Sequence, residues 1–154
     1  MLKKKILIEL LGWMMTLVIV ILVLLPIHSY VGDYYPFYKE NIAFIVIALT
    51  FMRYIFLLKY HWISASKWIK AVFIFIPIPV FFYLVGGFYD FQAYSDEVGL
   101  GAMLTELPYP DQSKIGKYIR SEMILFWSAA FLSNLYMPFR MLISIWREIN
   151  KGTH

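Results

Sequence analysis

Histidines, carboxylates and serines are the residues from which this chain could build a reactive centre, and their spacing builds none. His28, His61 and His154 are divided between opposite ends of the chain's apolar segments. No His-x-x-x-His or Glu-x-x-His pair puts two metal ligands on one helix face. His28 with Asp33 and Asp90 has the right residue types for a cation, but an interfacial histidine beside a turn is the commoner meaning of such a residue. No glycine-rich phosphate loop and no Gly-x-Ser-x-Gly occurs, and Ser64, Ser66, Ser128 and Ser133 have no neighbouring base. Asp96 and Glu97 are adjacent and point apart. The absence of cysteine excludes thiolate metal sites, iron–sulfur clusters, disulfides and cysteine nucleophiles. The sequence predicts no catalytic, cofactor-binding or metal site, and no enzyme.

Charge inside apolar sequence is a different kind of signal, because an arginine at bilayer depth costs roughly 2.5–3.5 kcal/mol even on lenient insertion scales. Glu9, Arg53 and Arg140 qualify. Either Glu9 pairs with Arg53 or Arg140, leaving the other arginine for a lipid phosphate or another subunit, or both arginines snorkel to water. Glu122, Ala129, Ser133 and Arg140 fall on roughly one helical face with Asn134 beside it, and that face should look into protein.

The elements that position these residues are apolar and long. Hydrophobic residues make up 61% of the 154, aromatics 19% and charged residues 16%, which is too apolar for the surface of a soluble globule of this size. The fold class expected is all-α: a single membrane domain, 1–154, of four transmembrane helices. The first span, 6–27, would cover roughly 33 Å, enough for a hydrocarbon core of about 30 Å. It is too long for the apolar core of a cleaved signal peptide, and no small-x-small site follows Leu25. The second span, 41–58, and the third, 67–89, form a tight hairpin. Pro77 and Pro79 should kink the third and Pro138 should bend the fourth, 114–149, which exceeds the bilayer's thickness and should tilt or project.

Orientation follows from lysine and arginine near the helix ends. With the N-terminus cytoplasmic, that side receives Lys3, Lys4, Lys5, Arg53, Lys59, Lys67, Lys70, Arg140, Arg147 and Lys151, ten of the fourteen basic residues. Only Lys39, Lys114, Lys117 and Arg120 fall outside, with eight of the ten acids. Both termini are therefore expected inside. The inner basic residues could hold anionic lipid, and no nucleic-acid partner is expected.

The outer loop, 90–117, is predicted to carry a short amphipathic helix, 96–107. Ser95-Asp96-Glu97 resembles a helix start, and Leu100, Met103, Leu104 and Leu107 recur at helical spacing. That face would cover its own bundle, lie on the outer leaflet or dock on a partner. Pro108 and Pro110 end the helix, and Asp111 or Ser113 would cap the fourth span.

The basic start, four spans, the loop Val98-Gly-Leu-Gly-Ala-Met-Leu-Thr-Glu-Leu-Pro-Tyr-Pro-Asp111 and the basic C-terminal helix resemble small four-helix inner-membrane proteins of Bacteroidota-type bacteria. Some of these are similar in layout to a protein encoded beside ExbB/ExbD proton-driven motor components. The resemblance implies a bacterial inner-membrane location and an accessory role in an energy-transducing complex. The residues alone imply the same partnership with other membrane subunits, since nearly all-apolar spans hold little polar chemistry of their own. A small oligomeric transporter or channel is the alternative, although 17–25 and 42–49 offer no polar path.

Overall fold

The computed structural model describes residues 2–151, so His154 lies outside it. Its regular elements are all helical: α1 (Leu2–Val31), α2 (Tyr38–Leu57), α3 (Lys67–Phe75), α4 (Pro77–Glu97) and α5 (Tyr109–Asn150), with short 3-10 turns at Gly32–Tyr34, Leu58–Tyr60, Trp62–Ala65 and Leu100–Met103. Three stretches, Lys3–Tyr34, Tyr38–Tyr60 and Lys67–Glu97, are long and apolar enough to cross a membrane, with mean hydropathies of 2.7, 2.1 and 2.2. α5 is not among them, because Glu122, Asn134 and Arg140 dilute its apolar stretch.

The expected third span is two helices. Proline at 77 has no N–H to give and its ring crowds the preceding turn, so the hydrogen-bond ladder is interrupted at Ile76, which itself keeps helical dihedrals (φ −52°, ψ −38°), and α4 begins with Pro77 in its first turn. Pro79 sits in α4's opening turn. Pro138 lies inside α5.

The outer loop also differs from expectation. Ser95, Asp96 and Glu97 end α4 instead of starting a helix, and the amphipathic helix 96–107 does not form; Leu100–Met103 is a single 3-10 turn. Gly99 explains the stop. The N–H groups of Val98 and Gly99 both donate to the Tyr94 carbonyl at 3.0 Å, and Gly99 takes φ +83°, a left-handed conformation that ends helices and that glycine adopts without strain. Leu104 is 1% exposed, and Leu100, Met103 and Leu107 pack beside it on the main core, so this face covers its own bundle. α5 starts earlier than expected, at Tyr109, with Pro108 preceding it and no side-chain cap, so neither Asp111 nor Ser113 caps it.

α5, 42 residues and about 63 Å long at 1.5 Å per residue, is the spine. Side chains on it donate to backbone carbonyls of the other helices: Tyr118 Oη to Val23 of α1 at 2.8 Å, Trp127 Nε1 to Leu84 of α4 at 2.9 Å, Asn134 Nδ2 to Pro77 at 3.0 Å and Arg140 Nε to Ile55 of α2 at 2.8 Å. These bonds tie α1, α2 and α4 to α5. Trp127 also stacks on Phe88 and Phe131, with centroids 4.1 and 5.1 Å away. The core has two parts, one around Phe44, Leu84 and Met123, the other around Tyr54, Ile63 and Met141.

Candidate functional site

Buried polar side chains collect at two levels of the bundle. The first lies at the basic end, where both described chain ends and the α2–α3 link meet. Glu9 on α1 is its centre. The Tyr54 hydroxyl donates to Glu9 Oε1 at 2.8 Å, His61 Nδ1 meets Oε2 at 2.5 Å, and Arg53 Nη2 stands 3.8 Å from Oε1. The arginine's charge also faces the Trp13 ring at 5.5 Å.

Sequence pattern explains how each group arrives. Gly12 lies one turn beyond Glu9, and a Cβ there would sit 1.5 Å from Arg53 Nη1, so the guanidinium occupies the space that a glycine leaves on α1. The 3-10 turns 58–60 and 62–65 fold the link back under the helix ends, carrying His61 to 1% exposure. Lys5 Nζ, donating to Ser64 Oγ at 2.6 Å, ties α1 to that link.

Of the two partners open to Glu9, Arg53 is the one beside it. Arg140 instead gives its Nε to the Ile55 carbonyl. Two further members of this end, Lys70 and Glu148, form an ion pair between α3 and α5; Lys70 is 1% exposed and Glu148 keeps partial contact with solvent. Lys70 reads in sequence as one more basic residue at a span's edge. Only the antiparallel return of α5 brings an acid to it.

The second level is nearer the acidic end. Asn41, 0% exposed in α2, donates through Nδ2 to the Glu122 carboxylate on α5, and its amide also lies 3.4 Å from the Tyr35 hydroxyl. Asn41 Oδ1 and Glu122 Oε2 have no hydrogen-bond partner among the described residues, and no cation lies against this carboxylate. Burial first, and the Glu122 charge second, hold the Tyr35 phenol above its ordinary pKa. Sequence reading counts Glu122 among the outer acids and also places it on the face, with Ala129, Ser133 and Arg140, that should look into protein.

Ser133 and Asn134 are both buried and do different things. Ser133 Oγ donates to the Ala130 carbonyl within its own helix at 3.0 Å, whereas Asn134 crosses to Pro77 at the α3–α4 break. His28 Nδ1 lies 3.2 Å from the Tyr38 hydroxyl, which itself donates to the Gly32 carbonyl at 2.8 Å. Among the described residues no three of His, Asp and Glu cluster as metal ligands. No family model, curated protein or solved structure matches the chain.

The arrangement can do one thing well. Glu9, Lys70, Asn41 and Asn134 each bond across two helices or from a helix to a link, so these groups hold the bundle together. The two levels are separated along α5 by Met123 to Ala130, where Met123 and Ala130 are fully buried and no ionisable side chain intervenes.

Proposed function

We propose that this chain is a four-span protein of the bacterial inner membrane with both termini cytoplasmic, acting as a non-catalytic accessory subunit of a larger membrane complex. One observation carries the reading: buried polar side chains such as Lys70, Asn41, Glu122 and Asn134 are committed to helix–helix contacts, while much of the surface of the long apolar helices is left uncovered. Only 22% of the most apolar stretch of α1 and 11% of that of the α3–α4 hairpin arm are buried, against 50% in α2. α1 turns Leu10, Met14, Met15, Leu17, Leu22 and Leu25 outward, an area that requires lipid or other membrane helices.

α5 is the fourth crossing in this reading. Its polar residues point at backbone carbonyls and side chains of the other helices, as intramembrane polar groups must. The ten-to-four partition of basic residues supports the orientation. The resemblance to Bacteroidota-type proteins encoded beside ExbB/ExbD components makes a proton-driven motor the kind of assembly to test first, with any proton-carrying side chains on the partners.

Purification in mild detergent followed by mass spectrometry tests the role. Stoichiometric recovery of other membrane proteins is expected; a monodisperse homo-oligomer that passes solute in liposomes overturns it in favour of a transporter or channel. Because the chain has no cysteine, Gly101→Cys provides a single label site. It should react with an impermeant maleimide from the outer face, and protection in intact spheroplasts would reverse the topology.

A further inference from the structure

We infer that the cavity between α3, α5 and the α2–α3 link at the basic end binds a phosphate group, as carried by an anionic lipid headgroup or by a soluble phosphate. The cavity encloses about 370 Å³, within the range of about 300–1,000 Å³ usual for small-ligand sites. Five cations, Lys59, Lys70, Arg140, Arg147 and Lys151, line it with one carboxylate, Glu148.

The commitments of these groups leave a net demand for anion. Lys70 and Glu148 are paired with each other and cancel. Arg140 gives its Nε to the Ile55 carbonyl, which anchors this side chain in the cavity's lining, and no carboxylate pairs with it among the described residues. Lys59 is steadied over the Tyr60 ring at 4.5 Å and has no carboxylate beside it among the described residues. Arg147 in the last turn of α5 and Lys151 at its C-cap lie one turn apart, where like charges repel. Four unneutralised cations around one concave wall favour a compact multivalent anion, and the guanidinium fork matches phosphate oxygens in two-point contact. Three other cavities along the helices are almost wholly apolar.

The lipid source rests on the membrane reading above, since that reading sets this cavity at headgroup level on the cytoplasmic side, where basic pockets between helices collect anionic lipids. The soluble source does not depend on it.

The test titrates the full chain in detergent with short-chain phosphatidylglycerol, with phosphatidylcholine of the same chain length, and with inorganic phosphate, reading occupancy by native mass spectrometry. Phosphatidylglycerol should bind in preference to phosphatidylcholine. Arg147→Gln with Lys151→Gln, both exposed, should weaken it about fivefold per charge, so about 25-fold together. Lys114→Gln with Lys117→Gln, at the opposite end, should leave it unchanged. If inorganic phosphate binds with the same dependence on Arg147 and Lys151, the site stands and its ligand is soluble; if only the lipid does, the headgroup is the ligand. Equal binding by wild type and the Arg147/Lys151 variant, equal loss in the Lys114/Lys117 variant, or no binding of any phosphate probe overturns the inference. Salt-washed membranes separate this from the broader reading: protein that stays with them while the site fails leaves the membrane assignment intact, and protein in the supernatant ends that assignment whatever the titration gives.

Discussion

Two carboxylates between helices, the partly buried Glu9 at the basic end and the buried Glu122 toward the acidic end, are held in opposite ways. Glu9 has a tyrosine hydroxyl, an imidazole and a guanidinium around it, all from α2 or the link that follows α2. Glu122 has one amide and no cation. A charge in a low-dielectric setting is tolerable when counter-charge and donors surround it, so the first site is built for a carboxylate and the second for a hydrogen-bond acceptor. The same substitution should therefore have unequal consequences at the two.

Glu9→Gln is expected to have the largest effect, about 3 kcal/mol of lost stability, because it strands the Arg53 charge in a site shaped to pair it. Detergent-titration unfolding followed by circular dichroism measures this, and a loss no greater than that of Glu122→Gln would remove the distinction between the sites. Gly12→Leu attacks the same site from behind by filling the space that Arg53 occupies, and overpacking of this kind should cost about 2 kcal/mol. Since both changes act on one contact, combining Gly12→Leu with Glu9→Gln should cost clearly less than the sum; strict additivity would mean that the guanidinium is not shared between them.

Asn134→Leu tests the spine at the helix break. Losing the bond to the Pro77 carbonyl should cost about 1 kcal/mol, in the range measured for interhelical bonds in membranes. Unchanged unfolding together with unchanged α3–α4 geometry, read by spin-label distances, would show that proline alone sets the break. Glu122→Gln should change stability by less than about 1 kcal/mol in either direction, because the neutral amide still accepts from Asn41 and no cation is abandoned. Arg120→Gln should be silent: its pair with Asp96, at 3.7 Å, has both side chains more than half exposed. A measurable loss there would mean that the acidic end relies on surface charge more than Glu122 does on its amide.

Much of the secondary structure was legible because it depends on local features. Apolar runs of span length mark α1, α2 and the α3–α4 arm, and Pro77 marks the interruption of the hydrogen-bond ladder between α3 and α4. The loop 98–108 was misread for a physical reason. Leu100, Met103, Leu104 and Leu107 do repeat at helical spacing, but Gly99 ends the preceding helix in a left-handed turn, and burial against α5 rewards the leucines equally in a 3-10 turn.

By itself the sequence determined that the chain is helical and apolar, where its charges interrupt that apolarity, and which end of the bundle is basic, since all three are sums over neighbouring residues. Tertiary structure alone decided that Glu9 faces Arg53, Tyr54 and His61, that Lys70 meets Glu148, and that Asn41 meets Glu122 across 81 positions of chain. Those pairings depend on the rotation and depth at which each helix packs against α5. No periodicity within one segment encodes either quantity.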